Sequence, residues 1–152
     1  MIYTLGIFFI ILAIVNIIKG NIVLIKTGFN KMDLISIILV AILFFIFALI
    51  VKADYKETLA LASAVILYLI TQRANRGISK NGVMVNGGSI LFLREYLFSD
   101  INYINVENEE EFVSFAIAIK GSNQVDLQRF KKSKKADIVS IFKSNGVKLV
   151  YK

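Results

Sequence analysis

Lys131, Lys132, Lys134 and Lys135 form the one dense basic cluster in the chain. The chemistry open to such a cluster is anion recognition: lipid head groups, an acidic protein surface or nucleic-acid phosphate. Lysines at the start of a helix oppose its macrodipole, at about 0.3–1 kcal/mol each when close and exposed, so helix stability does not account for them. Near an anionic lipid surface each is worth about 1 kcal/mol. An ordinary solvated turn accounts for the same four residues, and both readings stay open. Nucleic acid is not expected as a partner, because the neighbouring aromatics, Phe130 and Phe142, fall on core positions and not on a stacking platform.

Other candidates carry less chemistry. Glu107, Glu109, Glu110 and Glu111 form an acidic run, but calcium needs alternating oxygen ligands on a glycine-bent loop. A solvated turn between strands is the expectation there. Arg94-Glu95 and Ser99-Asp100 are pairs of the right types for acid–base work. Nothing sets a nucleophile beside a base, however, and no glycine-rich loop follows a strand and opens a helix. Asn81-Gly82 and Asn86-Gly87-Gly88 read as turns, because these residues accept positive φ at little cost. The 152-residue chain has no His and no Cys, which removes Ser–His–Asp and Cys–His machinery, Cys/His zinc sites and disulfides. The expectation is a protein that is not an enzyme, with no catalytic residue, cofactor or metal.

The elements that must position these residues divide at Arg73-Ala-Asn-Arg-Gly-Ile-Ser-Lys80. Before it the chain is apolar in long runs; after it, short alternating runs are broken by Gly, Asn and charge. The chain is 57% hydrophobic, above the roughly 45–50% of soluble domains, and the excess lies in the first half. About three transmembrane helices are expected, near residues 2–19, 34–52 and 55–72, each close to the ~20 residues a span needs. The first lacks the basic leader and cleavage site of a signal peptide and reads as a retained span. Between the first two, Ile22-Val-Leu-Ile25 is too short to cross and is expected at the interface or as a helix extension. In the third, Ala60 and Ala64 sit at small-xxx-small spacing beside Ser63, which allows close helix approach; simple filling of helix positions explains them equally. Asn16 is expected to reach the interface.

Basic flanks set orientation. Lys19, Lys26 and Lys31 mark the first loop, and Arg73, Arg76 and Lys80 follow the third span. The second loop balances Lys52 and Lys56 against Asp54 and Glu57. The expectation is a multi-pass protein of the cell membrane with its N-terminus outside and residues 77–152 in the cytoplasm.

Residues 77–152 read as a small antiparallel sheet closed by a C-terminal helix. Strands are expected at Val83–Val85, Ser89–Leu93, Ile101–Val106 and Phe112–Ile119. In the last, Val113, Phe115, Ile117 and Ile119 share the buried face. Val125 and Leu127 alternate inward on its partner. Ser133 is the expected N-cap of a helix with Ile138, Val139, Ile141 and Phe142 on one stripe, stopped at Asn145-Gly146. Val147–Tyr151 is a candidate final strand. At ~75 residues the domain is near the lower limit for a self-sufficient core, and contact with the bilayer or another copy would help it.

Gly77-Ile-Ser-Lys-Asn-Gly-Val-Met-Val-Asn86, Phe98-Ser-Asp-Ile101 and the entry from Phe130-Lys-Lys-Ser to Phe142 together resemble the bacterial membrane-anchored pleckstrin-homology-like proteins. The resemblance covers roughly the last half of the chain. Phe98 stands where such proteins often carry tryptophan, and this chain has none. The resemblance implies a few transmembrane helices before a curved sheet capped by a helix, and a scaffold or binding role. The leading functional expectation is a non-enzymatic integral membrane protein whose β domain binds a protein partner, a second copy or an anionic lipid surface. Two alternatives are a bacteriocin-immunity or envelope-stress factor, and a small accessory subunit of a transporter or membrane enzyme.

Overall fold

The computed structural model describes residues 2–28, 31–86, 93–123 and 125–151. Three helices come first: α1 (Ile2–Gly20), α2 (Lys31–Ile50) and α3 (Tyr55–Ala74). Two of them, α1 and α2, are long and apolar enough to cross a membrane by length and composition. The third, α3, falls short of that measure, because Lys56, Glu57, Gln72 and Arg73 load its ends with polar side chains.

The first and third helices pack along a seam. On α1 the buried residues Ile2, Gly6, Phe9, Ala13, Asn16 and Gly20 follow alternating steps of four and three. On α3, Thr58, Leu61, Val65, Tyr68 and Gln72 follow steps of three and four. This is the spacing that keeps one face of a helix turned to its partner. Ala64 joins the seam, whereas Ala60 and Ser63 face outward, so the small-residue pattern is not the contact. Asn16 is 1% exposed and lies on the buried face of α1. Phe9 packs edge-on against Phe44 of α2, with centroids 5.4 Å apart.

The turn from α2 to α3 is built from backbone rules. Lys52 takes φ 53°. The Lys52 amide donates to the Leu49 carbonyl at 3.1 Å and the Ala53 amide to the Ala48 carbonyl at 3.0 Å, which is a Schellman closure. Asp54 then caps α3, accepting the Tyr55 amide at 2.7 Å.

Among the described residues, eight strands form two sheets, the first strand lying between α1 and α2. β1 (Val23–Lys26), β2 (Gly77–Ser79), β3 (Gly82–Asn86) and β4 (Leu93–Leu97) form an antiparallel sheet in that order. β5 (Ile101–Asn108), β6 (Phe112–Ile119), β7 (Val125–Lys131) and β8 (Leu149–Tyr151) form a second, in the order β7-β6-β5-β8. β8 runs parallel to β5, because α4 (Lys135–Ser144) carries the chain back before it is laid down. The single antiparallel meander is therefore corrected to two sheets, one of them mixed.

β1 is the larger correction. Ile22–Ile25 does not extend α1: the segment between the first two helices becomes an edge strand of the β domain, with Ile25 opposite Ile78 and Lys26 opposite Gly77. Gly77 is required at that crossing, with φ +146° and the Ile25 carbonyl where a Cβ would stand. Gly82 is needed for close approach and not for a turn, since a Cβ there would strike the Tyr96 carbonyl. The expected strand Ser89–Leu93 and turn Gly87-Gly88 lie outside the described residues except for Leu93, which opens β4.

The two sheets enclose one core. Val113, Phe115, Ile117 and Ile119 point into it as expected, with Ile78, Val83 and Val85 from the first sheet opposite. Phe115 meets Phe130 at 5.7 Å and Phe142 at 5.9 Å between ring centroids. Ile138 and Phe142 of α4 are fully buried and close the core, with Val139 and Ile141 partly buried beside them. The phase of β7 is opposite to expectation. Gln128 and Phe130 point inward, and Val125 and Leu127 are exposed. Gln128 holds that phase by donating its amide to the Met84 carbonyl at 2.9 Å across the two sheets.

Candidate interaction surface

The four lysines are brought to one corner. Lys131 ends β7 opposite Phe112, Lys132–Lys134 form a 3-10 turn, and Lys135 opens α4. The turn runs straight into the helix, so Ser133 lies inside it and the N-cap position falls to Lys134, without a side-chain cap. Lys131, Lys132 and Lys134 are exposed and Lys135 is half-buried.

The acidic run is folded against the same corner. β5 and β6 turn at residues 109–111, and the Lys132 ammonium donates to the Glu110 carbonyl at 3.3 Å. The Lys132 amide donates to the Glu111 carbonyl at 3.0 Å. Lys135 donates to Asn108 Oδ1 at 2.7 Å and lies 6.0 Å from the Tyr151 ring. Lys134 lies 4.0 Å from Asp137 one helical turn on. The lysine patch thus meets the backbone of Glu110 and Glu111, and Lys134 lies beside the Asp137 carboxylate.

Glu109 is set apart from that patch. The Ser114 hydroxyl donates to it at 2.5 Å, and the Arg129 guanidinium pairs with it while stacking 4.3 Å from the Phe112 ring centroid. The Ser114 hydrogen bond first, and then Arg129, hold the Glu109 carboxyl below its ordinary range.

The other sequence candidates have structural roles. Glu95 accepts from the Ser79 hydroxyl, and Arg94 lies over Tyr96 at 4.9 Å. Asp100 accepts the Leu97 amide at 3.3 Å, and the Ser99 carbonyl accepts from Lys120 at 2.7 Å. Among the described residues no group of three or more His, Cys, Asp or Glu could hold a metal ion.

A second polar constellation, missed in the sequence, joins the helices to the β domain. Arg73 at the end of α3 pairs with Asp33 at the start of α2, 3.1 Å apart. Arg76 pairs with Asp126 of β7 at 2.9 Å and also donates to the Leu127 carbonyl at 2.9 Å. Lys26 donates to Asn75 Oδ1 at 3.0 Å, and Lys19 to the Leu93 carbonyl at 2.6 Å. Backbone bonds complete the collar: the Thr27 amide donates to the Arg76 carbonyl, and the Gly28 amide to the Arg129 carbonyl, both at 3.0 Å. The signal for β1 was a run of four apolar and β-rich residues between Gly20-Asn21 and Gly28, too short for a helix.

No protein-family model, curated protein or solved structure matches the chain.

Proposed function

We propose that this chain is a non-enzymatic, multi-pass integral membrane protein whose cytoplasmic β domain is a rigidly mounted binding module for a protein partner. Two apolar helices supply the anchor, and α3 packs on α1 to complete it as a third crossing. The α1–α2 connection and the β domain share one end of the bundle, and Lys19, Lys26, Arg73 and Arg76 lie there. That end is the cytoplasmic one by the positive-inside bias. Two packed sheets closed by a C-terminal helix support the pleckstrin-homology-like resemblance and, with it, a binding role.

One observation carries the choice of partner: the acidic hairpin lies against the lysine corner. The hairpin brings Glu110 and Glu111 beside Lys132, so an anionic membrane meets a corner of mixed sign, whose field is screened over about 8 Å at physiological salt. Head-group attraction counts charges near the surface and is correspondingly reduced. A protein surface can instead match both signs at once, which is how complementary charge sets register and specificity.

Photocrosslinkers placed at Lys134 and Glu110 of the full chain in native membranes test this. The expected result is one discrete protein adduct from both positions and none from Ser140 on the outer side of α4. Adducts to lipid alone from Lys134 would replace the protein reading with anionic head groups, and a doubled chain mass would identify the partner as a second copy.

A further inference from the structure

Two strands lie across the end of the helix bundle. β1 begins three residues after α1 ends and finishes opposite Gly77, three residues after α3 ends. It therefore crosses from one helix end to the other. β7 does the same over α2 and α3. Arg76, two residues beyond α3, holds Asp126 and the Leu127 carbonyl. Gly28, three residues before α2, holds the Arg129 carbonyl. Three residues reach at most about 11 Å, and the hydrogen bond to the Arg129 carbonyl adds 3.0 Å, so β7 stays near the level where the helices emerge. The Arg73–Asp33 pair keeps those two helix ends at one height.

Both strands turn bulky apolar side chains outward at this level. Ile22 is 48% exposed, Leu24 65%, Val125 55% and Leu127 60%. Across β6, Leu127 is opposite Ala116 and Val125 opposite Ala118. The small neighbours leave both side chains standing clear of the sheet. The nearby cations Lys19 and Lys26 are already committed to internal carbonyl oxygens.

We infer that Ile22, Leu24, Val125 and Leu127 form an interfacial seat that enters the boundary between lipid head groups and acyl chains. The occupant of this surface is the bilayer in which α1 and α2 are anchored, so the inference rests on the membrane placement proposed above. Head groups add about 5–7.5 Å on each side of a hydrocarbon core of about 30 Å, and strands tied this close to the helix ends reach that layer. The seat is apolar, so its engagement is insensitive to salt and to head-group charge. The β domain is thereby held flat on the membrane, with the lysine and glutamate corner at its side left open for a partner.

The chain lacks cysteine, so single-cysteine variants of the full protein report cleanly after reconstitution in vesicles with and without anionic lipid. An environment-sensitive fluorophore is placed at Leu24→Cys, Leu127→Cys, Ser140→Cys and Leu39→Cys, the last on the outward face of α2. Expected are quenching of Leu24 and Leu127 labels by lipids nitroxide-labelled near the head group, blue-shifted emission, and loss of quenching by aqueous iodide, alike in both vesicle types. The Ser140 label is expected to respond to iodide alone. Labels at Leu24 and Leu127 that behave like Ser140, while Leu39 is quenched from within the acyl chains, would overturn the seat and leave the membrane anchor standing. A Leu39 label quenched by iodide would overturn both.

Discussion

The backbone amide of Gly28, in the link between α1 and α2, donates to the carbonyl of Arg129 in β7 at 3.0 Å. A hydrogen bond between residues 101 positions apart ties the helices to the second sheet, while β1 ties them to the first. The β domain is therefore not a pendant on a flexible linker. Its first strand lies between α1 and α2, and a fragment beginning at Gly77 would expose the edge of β2 that Val23, Ile25 and Lys26 cover.

Arg76 and Asp126 are the charged centre of this joint, with side chains only 10% and 14% exposed. Removing one member leaves the other charge nearly buried, which typically costs about 3–5 kcal/mol. Arg76→Met or Asp126→Leu should each lower stability in detergent by that order. The double variant should lose less than the sum, a difference that a double-mutant cycle measures. Additive losses would mean that the pair is not coupled.

Phe115 is fully buried between the rings of Phe130 and Phe142. Phe115→Ala should cost about 3–5 kcal/mol, enough to unfold a domain of this size. Retention of full stability in denaturant titration of the variant would contradict the core described here.

Lys52 holds a left-handed conformation at φ 53°, which costs a side-chain-bearing residue about 1–2 kcal/mol. Lys52→Gly should relieve part of that strain, raising stability by about 0.5–1 kcal/mol, whereas Lys52→Val should lower it. Thermal melts of the two variants in the same detergent decide the sign.

Glu109 is held below the ordinary carboxylate range by Ser114 and then by Arg129. A depressed folded value means stability that is present above the unfolded pKa and is lost as pH falls through the folded one. Wild type should therefore exceed Glu109→Gln in stability by a constant margin at neutral pH, and the margin should shrink below about pH 4. Ser114→Ala should move that loss to higher pH. A margin that is flat down to acid pH would show that the pair does not stabilise the fold.

The parts legible in the sequence are those set by local periodicity. The alternation through Val113–Ile119 and the stripe through Ile138–Phe142 both mark buried faces correctly, because each pattern is repeated over consecutive residues. β7 was misread by one position. Its exposed Val125 and Leu127 are more apolar than its buried Gln128, and a shift of one residue turns every side chain of a strand to the other face. The Met84 carbonyl on another sheet, together with Asp126, holds Gln128 as an inward residue. β1 was illegible for a related reason: four residues carry no period, and its pairing partner lies more than fifty residues away. At the candidate surface, the lysine cluster and the acidic run were each visible. Their juxtaposition depends on the β5–β6 hairpin reaching the end of β7, which no local pattern records.

The central claim is a membrane anchor with the β domain on the cytoplasmic side, and thiol accessibility tests it most directly. In intact cells expressing the full chain, Tyr55→Cys, in the first turn of α3 beside the α2–α3 turn, should react with a membrane-impermeant thiol reagent. Ser122→Cys, between β6 and β7, should be protected until the membrane is permeabilised. Reaction at Ser122 with protection at Tyr55 would reverse the topology, and equal reaction at both would contradict the account.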